Sequence, residues 1–151
     1  MTYILQSLAA AWQLIKLNPR AMSYFDTSAD SYWKSFWAIV VVAPVFLISM
    51  NINIDLGLDK AEMNGITSVS VLAQVISYVF QLPLVAFVMV FFTRFLRIDA
   101  NYVPMIIAYN WLWVLINYIV LPLTLLLSMG ILPIKVGGML IVAVAMYLEI
   151  Y

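Results

Sequence analysis

Apolar residues run in long blocks along most of this chain, with little period-two alternation. Four blocks reach the length of a membrane span, at about 32–53, 66–92, 101–128 and 132–151. A spanning helix needs roughly 20 mostly apolar residues, and a bilayer offers the backbone no hydrogen bonds. Blocks of this kind therefore predict helices. Gly130 and Pro133 punctuate the short turn between the last two. The predicted fold is an all-α polytopic transmembrane helix bundle, with four spans in a domain over 32–151 and a cytoplasmic or interfacial segment over 1–31.

Residues 3–17 have a different pattern. At 100° per residue Ile4, Leu5, Leu8, Ala11, Trp12 and Ile15 share one face, with Gln6, Gln13 and Lys16 on another. This run is too short and polar to span comfortably, and predicts an N-terminal interfacial amphipathic helix that Asn18-Pro19 stops. Leu14 and Leu17 interrupt its polar face, so packing against the bundle is the alternative. The segment SYFDTSADS supplies several helix caps before Tyr32, and the chain start, without a basic region or small-residue cleavage site, reads as mature sequence.

Composition strengthens the membrane reading. Of 151 residues 66% are hydrophobic and 9% charged, against roughly 45–50% and 25% in soluble domains. Orientation follows from the basic residues. Lys16, Arg20 and Lys34 precede the first span and Arg94 and Arg97 follow the second, whereas Lys60 and Lys135 lie on the opposite side. That imbalance predicts cytoplasmic anchors at the first five and a cytoplasmic N-terminus, in a bacterial inner membrane. Tyr32, Trp33, Trp37, Tyr102, Tyr147 and Tyr151 then fall at the cytoplasmic headgroup level.

Polar residues inside the blocks are the candidate site. Asn110, Asn117 and Thr124 recur every seven residues in the third block, and Ser70, Gln74, Ser77 and Gln81 form a stripe in the second. Paired across antiparallel helices, Gln74, Ser77, Gln81, Asn110, Asn117 and Thr124 make a polar seam. It is structural, or lines a hydrated path or headgroup site, or faces a partner. An unpaired amide in hydrocarbon costs several kcal/mol and a paired one contributes about 0.6. Pro44, Pro83 and Pro122 lie 39 residues apart, one per span, and predict kinks that release the carbonyls of Val40, Val79 and Tyr118. The equal spacing marks an internal repeat or a constant span-plus-loop length.

The chemistry excluded is broad. Neither cysteine nor histidine occurs, which removes thiolate nucleophiles, imidazole bases and the commonest metal ligands. No enzyme activity, metal or cofactor is expected. Zero net charge argues against nucleic-acid partners. No ionisable residue sits mid-span, against the usual habit of pumps; Glu149 lies near a predicted helix end and reads as interfacial. Arg94, Arg97 and Asp99 form a turn that anchors topology or meets lipid phosphate. Gly137-Gly138 suits close helix packing.

The segments WQLIKLNPRAMSYFDTSADSYWKSFWAIVVVAP, PLVAFVMVFFTRFLRID and MIIAYNWLWVLINYIVLPL resemble bacterial Yip1-domain-like membrane proteins. That resemblance implies a five-helix membrane domain with trafficking or membrane-shaping roles and no catalytic residues. It also implies a further helix beyond Tyr151, so that the sequence belongs to a longer protein. The function expected is a non-catalytic scaffold or accessory subunit contacting lipid, other membrane proteins or itself. A small-solute carrier or channel component built on the seam is the alternative.

Overall fold

The computed structural model describes residues 2–55 and 71–150, with side chains at 53–55, 134, 145 and 147–150 left aside. These residues form six α-helices and no strand: α1 (Thr2–Ile15), α2 (Ala29–Ser35), α3 (Ala38–Asp55), α4 (Val71–Phe95), α5 (Tyr102–Ser128) and α6 (Ile134–Ile150). Three segments are long and apolar enough to cross a membrane, Ala29–Ile52, Val71–Phe95 and Asp99–Ser128, which by length and composition marks a membrane protein. The helix α6 has 17 residues, about 25 Å at 1.5 Å per residue, short of a roughly 30 Å hydrocarbon core. Of the sequence-based second span, residues 66–70, and with them Ser70, lie outside the described residues, as does Lys60.

The first span starts earlier than its apolar block and is jointed. Ser28 caps α2 by accepting from the Ser31 amide at 3.1 Å. Tight bonds at the α2–α3 junction, Phe36 N–H to the Trp33 carbonyl and Trp37 N–H to the Lys34 carbonyl, turn the chain in 3₁₀ fashion before α3 resumes. Three helices end alike. In α1, α4 and α5 the amides of Asn18, Ile98 and Ile131 reach the carbonyls of Gln13, Thr93 and Leu126, with Leu17, Arg97 and Gly130 left-handed at φ 58, 59 and 71°. This closure satisfies carbonyls a helix end would otherwise strand.

The hub is α5, which packs against α1, α2, α3, α4 and α6. Its buried positions, among them Ile107, Trp111 and Val114, form one core with Val42 and Val45 of α3, Leu82 of α4 and the small residues Ala10 and Ala11 of α1. Thus α1 docks on the bundle through Ser7, Ala10 and Ala11 while Leu5 and Trp12 point outward. On the far side α6 comes close at Gly137, where an added Cβ would lie 2.0 Å from Leu127 Cδ1. The span α4 is peripheral: 11% of its most apolar window is buried, against 22% in the other two.

Candidate functional site

The polar residues of the spans go to three places. Asn110 is fully buried, and its Nδ2 donates to Ser35 Oγ at 2.8 Å, which itself donates to the Tyr32 carbonyl at 2.7 Å. The amide thus ties α5 to α2, and its Oδ1 is buried without a partner. Asn117 and Thr124 turn back onto their own helix, donating to the carbonyls of Trp113 at 2.8 Å and Val120 at 3.2 Å.

The glutamine stripe lies elsewhere. The positions of α4 that meet the bundle are Tyr78, Leu82, Ala86 and Thr93. Ser77 and Gln81 are exposed and Gln74 is half-buried, on a stripe rotated about 100° from the contact positions. The six residues are therefore not gathered into one interhelical seam. A helix apolar on every side, as α4 is, gives no sequence contrast from which to orient a polar stripe.

Hydroxyls do the crossing that the sequence suggested for amides. Tyr78 of α4 and Tyr118 of α5 donate to the α3 carbonyls of Ile39 and Val41, the latter at 2.9 Å. These two carbonyls flank that of Val40, which Pro44 deprives of its helical donor. Pro83 and Pro122 likewise lie inside continuous helices. Tyr78 also stacks on Phe46 with ring centroids 4.1 Å apart. Close to the Ile39 end of α3, Tyr102 donates to the Ala86 carbonyl at 3.0 Å, so its proton is committed and Tyr32, 3.0 Å away, donates to Tyr102. Tyr3 of α1 donates to the Ser31 carbonyl at 2.8 Å and accepts from Trp111 Nε1 at 3.4 Å. A tyrosine set among apolar residues was the available signal, because a buried phenol nearly always finds a partner.

Charges stay at the margins. The Tyr32–Tyr102–Ala86 chain brings Lys34, Arg94 and Arg97 to one end of the bundle, and all three are exposed, as are Lys16 and Arg20. Lys34 pairs with Asp30, the one ion pair among the described residues. Asp26 accepts from Ser31 Oγ at 2.6 Å and the Ser28 amide at 3.0 Å, and these bonds hold its carboxyl below the ordinary value of 3.8. Among the described residues no cluster of acidic groups suits a metal ion; the side chain of Glu149 is outside the description. Protein-family models, curated proteins and solved structures give no match to this chain.

Proposed function

We propose that this protein is a non-catalytic membrane scaffold or accessory subunit whose α4 face meets another membrane protein. The observation that carries the reading is the outward placement of Gln81. It lies 10 residues from Val71 and 14 from Phe95, about 15 and 21 Å along the helix and so deep in a bilayer. An amide facing hydrocarbon there costs several kcal/mol, and a polar partner on a neighbouring protein removes that cost. Exposed Phe80, Phe91, Phe92 and Phe95 on the same helix supply apolar contact area of the kind that dominates interfaces.

The finer topology belongs to the same proposal. At 27 residues α5 is about 40 Å long, more than the hydrocarbon thickness, so its first turns extend into the headgroup zone. There α1 lies with Leu5 and Trp12 outward, which supports an interfacial helix that is also docked. In this reading the distribution of basic residues favours a cytoplasmic N-terminus in a bacterial inner membrane, with α6 as a short fourth span accommodated by local thinning or snorkelling. The likeness to Yip1-domain proteins rests on the sequence segments alone. The carrier alternative has less support, because Asn110, Asn117 and Thr124 are bonded inside the bundle.

The test is extraction of the tagged protein from its native membrane in mild detergent, then size exclusion and mass spectrometry. A stoichiometric membrane-protein companion, released by Gln81→Leu without loss of the protein's own elution profile, is expected. A particle that holds only this chain's monomer and lipid would sink the proposal.

A further inference from the structure

A groove of about 480 Å³ runs down the side of the bundle between the α2–α3 junction and α4, within the roughly 300–1,000 Å³ of small-molecule sites. Tyr32, Trp33 and Phe36 form one wall and Pro83, Phe87 and Val90 the other. Tyr102 lies at the same groove, and the donated protons of both tyrosines are already engaged, by Tyr102 and by the Ala86 carbonyl. The lining therefore presents no unpaired phenol donor to a hydrocarbon chain. Pro83, Phe87 and Val90 lie on one stripe of α4, and the same three-to-four spacing carries that stripe to Arg94, with Arg97 following in the turn that closes the helix. This stripe lies on the opposite side of the contact positions from Gln81, so the two outward faces of α4 differ.

Positive charge lies one turn beyond the groove's last residue on α4, Val90. Arg94 and Arg97 are exposed, and although Asp99 follows closely, neither guanidinium has an ion pair among the described residues. Lys34 is turned away, to Asp30 and to the Tyr3 ring 6.0 Å from its Nζ. Trp33, 71% exposed, sits where an amphipathic ring suits the headgroup boundary.

We propose that this groove holds one anionic glycerophospholipid, with an acyl chain between the aromatic wall and α4 and its phosphate at Arg94 and Arg97. The proposal rests on the membrane reading above and adds the class of lipid and its place. Guanidinium groups match phosphate bidentately, while the apolar groove requires the attached chain, which separates a lipid from a free phosphate ester.

The test uses the purified full chain, stripped of lipid in detergent and titrated with phosphatidylglycerol or phosphatidylcholine of identical chains, with bound lipid read by native mass spectrometry. Phosphatidylglycerol is expected to bind more tightly by about five-fold per arginine. Arg94→Gln with Arg97→Asn should abolish that preference and leave phosphatidylcholine unchanged, and Val90→Trp should weaken both lipids by filling the groove. Equal binding of the two lipids by the wild-type protein, or displacement of phosphatidylglycerol by soluble glycerol phosphate, would overturn the site. So would undiminished binding by Val90→Trp in a variant with native elution. Release of the protein from its membrane by alkaline carbonate would instead overturn the membrane reading itself, so the two failures are distinguishable.

Discussion

Replacing Gln81 by leucine has opposite expected effects in two settings. With the protein alone in a bilayer, the substitution removes an exposed amide held about 15 Å from the nearer helix end, farther than a glutamine side chain reaches. Transfer of an unpaired amide into an apolar medium costs about 2–7 kcal/mol, and values from protein mutants run at about 1–3. The lower range applies here, because thinning and water defects relieve part of the cost. The isolated protein should therefore gain about 1–3 kcal/mol, measured as the change in unfolding free energy after reconstitution without other proteins. In the native membrane, on the proposed reading, the same substitution removes the polar group offered to a companion protein, which should dissociate. If the lone variant is equally stable or less stable than wild type, Gln81 is satisfied within its own chain, and the case for a partner at this face falls.

Three further outcomes test other parts of the fold. Gly137→Ala places a methyl 2.0 Å from Leu127 Cδ1, whereas Gly138→Ala meets nothing within 4 Å; both gain the same helix propensity, so their difference isolates the α5–α6 contact. Gly137→Ala should be less stable than Gly138→Ala by about 1–3 kcal/mol in thermal unfolding. Tyr78→Phe and Tyr118→Phe each remove one hydroxyl bond to α3 and should each cost about 0.6 kcal/mol, with hydrogen exchange rising around Pro44 rather than in α6. Asp26 has a folded value below 3.8, so its contribution is fully present above pH 3.8 and is lost as pH falls through the lower folded value. Amide exchange at the start of α2 should therefore accelerate in that acid range in wild type, and Asp26→Asn should remove the pH dependence.

The helices were legible because hydrophobic block length sets them directly: α5 begins and ends within a residue of its block, and Gly130 closes it. Facing was not legible in α4, whose apolar residues surround the helix and leave Ser77 and Gln81 as the most conspicuous markers. Those markers suggest an inward stripe if polar groups are assumed to seek the bundle core. The inward positions are instead Tyr78, Leu82 and Ala86, selected by stacking, shape and a phenol bond to a backbone carbonyl. The apolar face of α1 divides in a related way. Ile4, Leu8 and Ala11 pack on the core beside the buried Ser7 and Ala10, while Leu5 and Trp12 of the same face stay exposed, and the small residues allow close backbone approach. The buried Asn110 was noticed by type, but its partner Ser35 stands 75 residues away in sequence, and no local pattern encodes that pairing.

These contacts divide the chain into a self-sufficient hub and an outward arm. Around α5 the buried Ser31, Ser35 and Asn110 bond within the chain, apart from Asn110 Oδ1, and the hydroxyls of Tyr3, Tyr78 and Tyr118 are each committed to a carbonyl. On α4 the contact stripe is narrow, and what flanks it is chemically sorted: amide and hydroxyl on one side, an apolar groove with Arg94 one turn beyond it on the other. Hydrocarbon alone requires neither arrangement, because a helix surrounded by lipid is best served by leucine and valine at every outward position. A protein face for Gln81 and a phosphate-bearing lipid for the groove, as proposed above, would account for both departures.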